Sequence, residues 1–351
     1  MRAAFAVLLL LAAGGAFADE VDRRGPVLAA ARDVVAPAYD RLAEVTRLQA
    51  ETWRSQCAAP ATLAIDTLRA RYAAAADAWS GIEFVKYGPV LDENRFERMA
   101  HWPERGNAVT RALAALLARP GTEGLAPDAV AGGSAAGQGL SALERLLFDP
   151  AASDTVATRL TKGPDAARRC AVGAAIAANL ARMADAVSAG WRRPAGTLET
   201  LERADADALK EAATRLATEI LAFLEYVGDA KIGAPLGKGG PDEARPTLAE
   251  GWRAGRSLRA IALDLDGVSA LVTALVDPTS DEGSSVLAAL ETACRLAHDT
   301  PGSLDALVQE PDRRPDLVLL RNAISGAREL AGAALTASLD VTIGFNSRDG
   351  D

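Results

Sequence analysis

The sequence predicts an all-α protein of two up-and-down helical bundles, about four helices in each, packed side by side. Three observations carry this. Apolar residues recur at helical spacing, strand-like alternation is almost absent, and an alanine-rich chain is cut at intervals by glycine and proline. Repeats of three and four residues place apolar side chains on one stripe of a helix, and alanine has the highest helix propensity. With 351 residues, 49% of them hydrophobic and 24% charged, the chain has material for a packed core and is not a disordered sequence. Its length is that of about two domains.

The elements follow in order. Residues 1–18 are set apart as a signal peptide: Arg2 gives a basic start, Ala3 to Ala13 an apolar stretch, and Ala16-Phe17-Ala18 a cleavage site before Asp19. The apolar stretch is shorter than the roughly 20 residues of a spanning helix, so a soluble exported protein is expected, periplasmic or otherwise outside the cytoplasm, with no transmembrane segment after cleavage. Val35, Tyr39, Leu42 and Val45 then mark a first helical stripe, closed at "CAAPAT". A second helix runs to "KYGPVLDEN", and a long break spans "ARPGTEGLAPDAVAGGSAAGQG". After "TKGPDA", where Pro164 suits a first turn and Asp165 complements the helix dipole, Ile176, Leu180, Met183, Val187 and Trp191 form the longest stripe. "RRPAGT" near residue 195 halves the chain. Leu209, Leu216, Ile220, Phe223 and Val227 open the second half, which "KIGAPLGKGGPDEARP", "DPTSDEGS" and "DTPGSL" divide before a last stripe at Leu317, Leu320 and Ile324. The expected organisation is an N-terminal bundle over 19–195 and a C-terminal bundle with its tail over 196–351.

Charge narrows the partners. Lys and Arg number 38 against 47 Asp and Glu, a net charge of −9, and cleavage would remove Arg2 as well. So acidic a surface repels phosphate backbones, and nucleic acid is not expected as a partner. The cysteines Cys57, Cys170 and Cys294 allow three pairings in an oxidising compartment. Cys57 with Cys170 is the preferred one, since both fall in the first half near helix ends; three buried free thiols are the alternative. No C-x-x-C is present, which argues against a zinc site.

The stretch "GQGLSALERLLF" (137–148) places Ser141 and Glu144 on one helical face. Two readings stay open. Ser141 is a helix cap with Glu144 as its capping-box partner, or the two form a polar pair beside a glycine-rich loop able to receive a small polar ligand. Only two histidines occur, His101 and His298, and there is neither an H-E-x-x-H nor a G-x-S-x-G sequence. A zinc peptidase needs three ligands and a base, and a serine hydrolase needs a base beside its serine. Hydrolysis is therefore not expected. His298 is read as complementing a helix C-terminus. Arg253 and Arg256, close to Glu250, are read as a solvated face with one ion pair, or else as holding a ligand carboxylate.

Six segments in order, "AWSGIEFVKYGPV", "HWPERGN", "GQGLSALERLLF", "DAKIGAPLG", "EGWRAGRSL" and "GFNSRDGD", resemble the imelysin family of exported bacterial proteins, also classed as M75 peptidases. The resemblance covers nearly all of the mature chain. It implies paired helical bundles with a site near their interface and an association with iron or haem acquisition. The family's G-x-H-x-x-E signature falls on Gly139 to Glu144, with Ser141 at the histidine position. A neutral hydroxyl is a poor ligand for a transition metal, so the match weakens a metal site and leaves Glu144 as its one retained ligand. His101, Trp102 and Arg105 lie in the segment similar to the family's tryptophan-proline motif. Trp79, Phe84, Tyr87, Trp102 and Trp252 either line a pocket for a flat ligand such as haem or pack the core. Gly88-Pro89 and Gly233-Ala234-Pro235 are read as helix stops first and pocket walls second.

The expected ligand-binding residues are thus Gly139, Ser141, Glu144, Trp79, Trp102, Arg105 and His101, with iron or haem as the implied cofactor or cargo. Two functions are expected from this. One is a non-catalytic exported binding protein for a small ligand or metal. The other is a helical scaffold that has lost its metal site and binds another protein of the cell envelope.

Overall fold

The computed structural model describes residues 22–59, 62–118, 125, 127–148, 153–162 and 165–343. The expected signal peptide and the tail segment "GFNSRDGD", residues 344–351, lie outside the described residues. Among the described residues there is no strand, and the protein is all-α.

Helix α1 (Arg24–Ala29) runs through a π-helical stretch, Ala30–Val35, into α2 (Ala36–Ala58). The stripe Val35, Tyr39, Leu42 and Val45 is buried, as is Trp53 further along. Helix α3 (Ile65–Ser80) packs on α2, after which the chain is irregular and carries α4 (Arg95–Met99) and α5 (Ala108–Leu117). The long break expected before residue 140 contains a helix of its own, α6 (Pro127–Ala131), and is followed by α7 (Leu140–Leu147) and α8 (Ser153–Thr161). Helix α9 (Ala166–Arg192) lies along α2, and its whole stripe from Ile176 to Trp191 is buried. Segment 166–202 is apolar and long enough to cross a membrane by composition, yet 67% of its most apolar window is buried within the protein.

The contact between α2 and α9 is close because of Gly173. A β-carbon there would overlap the indole ring of Trp53, so only glycine lets the ring approach the α9 backbone this closely. The same pair of helices is bonded by a disulfide between Cys57 and Cys170, whose Cα atoms are 5.6 Å apart; Cys294 is free.

The second half starts with α10 (Thr197–Glu202) and α11 (Ala206–Tyr226), where Asp205 caps the new helix by accepting the Ala208 N–H at 2.9 Å. The expected stop at Gly233-Ala234-Pro235 does not occur. The chain continues helically through a π-helical Val227–Gly233 and α12 (Ala234–Leu236), and turns at Gly237 instead. Pro235 stands where the π-helical turn passes into α12, one residue before the helical run ends at Leu236. Then come α13 (Ser257–Leu275), α14 (Asp281–Asp299, capped by Ser280), α15 (Leu304–Leu307) and α16 (Arg314–Leu339). Helix α14 packs between α13 and α16, and α16 packs on α11. Helix α13 also packs on α3 and α1, so the apolar core continues across residue 196 from one half of the chain to the other.

Candidate functional site

Where α3, α7 and the segment before α13 meet, a cavity of about 340 Å³ opens between Tyr72 to Ser80, the 100–109 loop, Leu140 to Glu144 and residues 247–256. Its geometry begins with Gly139. This residue precedes α7 at φ 77° and lies so close to the end of α4 that a β-carbon would overlap the carbonyl oxygens of Arg98 and Met99. Both the left-handed backbone and the close approach require glycine. The helix start is thereby pressed against the loop that carries His101 and Trp102.

Ser141 does not cap the helix. The N-cap is Gly139, with no side-chain cap, and Ser141 is already the second helical residue. Its Oγ accepts the backbone N–H of His101 at 3.0 Å, which ties the 100–107 loop to α7. The capping box with Glu144 is therefore not formed. Glu144 is instead 6% exposed and reaches away from its own helix. Its Oε1 accepts the N–H of Ala254 at 3.2 Å, and its Oε2 is 3.9 Å from Nη1 of Arg253. Burial raises the Glu144 pKa above its ordinary value, against the pull of the Arg253 guanidinium and of the Ala254 and Arg253 backbone N–H groups. Arg253 in turn stacks on Trp252, 4.5 Å from the ring centre.

Arg253 and Arg256 are not a solvated face. Their side chains are 15% and 18% exposed, and their partners are Glu144 and Asp77 rather than Glu250. Arg259 also pairs with Asp77, at 2.8 Å. Glu250 turns inward to Lys231. This lysine is 1% exposed, and three carboxylates surround its Nζ: Glu83, Asp264 at 2.6 Å and Glu250 at 2.7 Å. Desolvation opposes a charged lysine here, but the three carboxylates outweigh it and hold the ammonium well above its ordinary pKa. Burial, then the neighbouring Glu83, push Glu250 up to about 7.

Of the residues expected at the site, Ser141, Glu144, His101, Trp102 and Trp79 line the cavity. Trp79 is buried, with an indole N–H that has no acceptor, and Trp102 lies edge-on to Tyr226 with ring centres 5.7 Å apart. Gly139 shapes the wall from behind, and Arg105 is exposed outside the lining. His298 is paired with Asp266 at 2.9 Å, remote in sequence from all of these. Sequence reasoning missed Tyr72, Asp77 and the Lys231 cluster. Asp264 carried a usable signal, since it falls within the apolar pattern Ile261, Leu265, Val268 of α13, where a charge must find a buried partner.

The donor set decides whether a bare metal ion fits. Glu144 is engaged by backbone N–H groups and Arg253, the Ser141 oxygen accepts a hydrogen bond, and His101 Nδ1 faces Glu97 at 3.8 Å. Among the described residues no three His, Cys, Asp or Glu side chains come together as a metal-holding group. The residues present do not fit a resident iron ion; the cavity suits a small polar molecule, and its volume is at the low end of the roughly 300–1,000 Å³ of ligand pockets.

A family model described as Peptidase_M75, Imelysin, matches residues 35–340. No curated protein matches the sequence. Among solved structures, an imelysin-like protein from Psychrobacter arcticum 273-4 superposes with a TM-score of 0.74 at 19% identity, covering 92% of this chain and 97% of that one. A protein from Parabacteroides distasonis ATCC 8503, described as an iron-regulated protein A precursor, superposes with a TM-score of 0.68 at 14% identity, covering 90% and 96%. At these identities the likeness is one of fold.

Proposed function

The chain belongs to the imelysin family, and from that premise we propose that it is an exported, non-catalytic binding protein of iron or haem acquisition that takes its cargo in the Glu144 cavity. One observation carries the reading: a nine-tenths buried carboxylate, fixed from across the chain by the Ala254 N–H, stands at the wall of a cavity with Ser141, Tyr72 and Trp79. These groups orient a polar ligand and leave no nucleophile paired with a base. Because no metal-holding set occurs among the described residues, iron enters this reading as cargo already held by donors of its carrier. The name of the Parabacteroides neighbour, an iron-regulated protein, agrees with that setting.

Titration of the purified protein with haem and with ferric citrate, followed by absorbance and tryptophan fluorescence, tests the reading. The expected result is saturation at one equivalent by one of the two, weakened about tenfold or more in Glu144→Ala, as loss of a hydrogen bond to a charged group gives. No saturation by either, or equal binding by the variant, overturns it. The second reading then takes precedence: a helical scaffold for another envelope protein, favoured by the same lack of a metal-holding group among the described residues.

A further inference from the structure

A second, larger cavity of about 740 Å³ lies on the other side of Trp79, Ala100, Trp102 and Pro103, which line both. Its walls come from residues 83–86 and 96–103, from α11 and from α16. The lining combines two chemistries. Phe84, Phe96, Phe223 and Tyr226 present aromatic rings, and four carboxylates, Glu97, Glu219, Glu225 and Glu329, stand against only two cations, Lys86 and Arg328. Arg328 is taken by Glu225 at 2.7 Å. The Glu83 and Glu250 carboxylates at the inner end belong to Lys231.

The rings already hold ammonium groups. Lys86 Nζ lies 4.9 Å from the centre of Phe96 and 5.9 Å from that of Tyr226, while Lys231 Nζ lies 5.4 Å from Phe223 and 6.0 Å from Trp102. All four distances fall within the range of about 6 Å at which a ring face attracts a cation. Lys86 is a primary ammonium on a flexible chain of four methylenes, and the wall accommodates its charge over the rings and near Glu219, whose carboxyl is pushed up by burial and drawn down by Lys86 and then Arg215. The protein's own side chain thus displays the chemistry that the remaining volume would take. A flat dianion such as haem meets surplus negative charge here.

We propose that this cavity binds an aliphatic polyamine, its methylenes on the rings of Phe96 and Tyr226 and its ammonium groups on Glu219 and the other carboxylates of the lining. The site shares a wall with the Glu144 cavity, at Trp79, Ala100, Trp102, Pro103 and Glu250, and does not depend on the function proposed for it.

Isothermal titration of the purified protein with spermidine tests the assignment, at low ionic strength and again at about 0.15 M salt, where exposed charges are screened. One saturable site at both is expected. Glu219→Gln and Phe96→Leu should each weaken it about tenfold. Lys86→Met, which frees the ring faces, should tighten it several-fold. Thermal melts confirm that each variant is folded, and the half-buried, near-isosteric Glu219→Gln keeps the test decisive if Phe96→Leu is not. Heat that vanishes at the higher salt, affinity equal to wild type in Glu219→Gln, or weaker binding in Lys86→Met overturns the proposal.

Discussion

The Oε1 atom of Glu144 accepts the backbone N–H of Ala254 at 3.2 Å, across 110 residues of chain. The contact fixes the start of α7 to the turn that precedes α13, and it accounts for a charged residue that the capping-box reading would have left on the surface. Removing the carboxylate takes away the long-range acceptor of this N–H, which also donates to the Gly251 carbonyl at 3.1 Å, together with the carboxylate that faces Arg253. Glu144→Ala is expected to cost about 1–3 kcal/mol, read from urea denaturation midpoints. Glu144→Gln keeps an acceptor oxygen for Ala254 and should recover most of that loss.

Lys231 is the counter-charge for three carboxylates that are themselves buried. Lys231→Met leaves them facing one another, and breaking a buried pair from one side costs about 3–5 kcal/mol. The double variant Lys231→Met with Asp264→Leu removes a charge of each sign and should be more stable than Lys231→Met alone. A double variant no better than the single one would show that Asp264 takes no part in holding Lys231.

The Glu250 carboxyl has a folded pKa of about 7, raised from an ordinary value of 4.5. A raised pKa means the folded state binds the proton more tightly than the unfolded chain does. The contribution to stability is therefore fully present below pH 4.5 and is lost as pH rises through 7. Stability measured by chemical denaturation between those limits should fall with pH more steeply in the wild type than in Glu250→Gln. Parallel curves would place the ionised form of Glu250 in the folded protein throughout that range.

Gly173→Ala sets a methyl group against the Trp53 ring. Overpacking of this kind costs about 1–3 kcal/mol, and the change should also alter the near-ultraviolet signal of the tryptophan. The paired variant Gly173→Ala with Trp53→Leu relieves the overlap and should lose less than the two single costs added together.

The disulfide closes a loop of 113 residues between α2 and α9. Chain-entropy arguments assign about 4.7 kcal/mol to a loop near this length, and engineered cases often show less. Cys57→Ser with Cys170→Ser is therefore expected to lower stability by about 2–4 kcal/mol without changing helix content by circular dichroism.

The helices were legible because each apolar stripe reports local spacing: Ile176 to Trp191 and Leu209 to Val227 are buried residue for residue. Breaks at "RRPAGT" and "DPTSDEGS" fall between helices for an equally local reason. The helix running on through Gly233 and Pro235 was not legible, because glycine and proline read locally as a stop and a π-helical turn leaves no mark in the pattern. At the site, Ser141, Glu144, His101, Trp79 and Trp102 could be named from the segments that carry them. Their partners could not, since Glu83 meets Lys231 over 148 residues and Asp77 meets Arg256 over 179. Charge pairs at that separation are written by the tertiary fold, and one sequence shows only that a charge stands where an apolar neighbour was due.

Gly139 rests on the carbonyls of Arg98 and Met99 with no room for a single further carbon. The width of the Glu144 cavity is consequently governed from outside its lining. A methyl group at position 139 would lever the 100–107 segment outward and draw the Ser141 hydroxyl off the His101 amide.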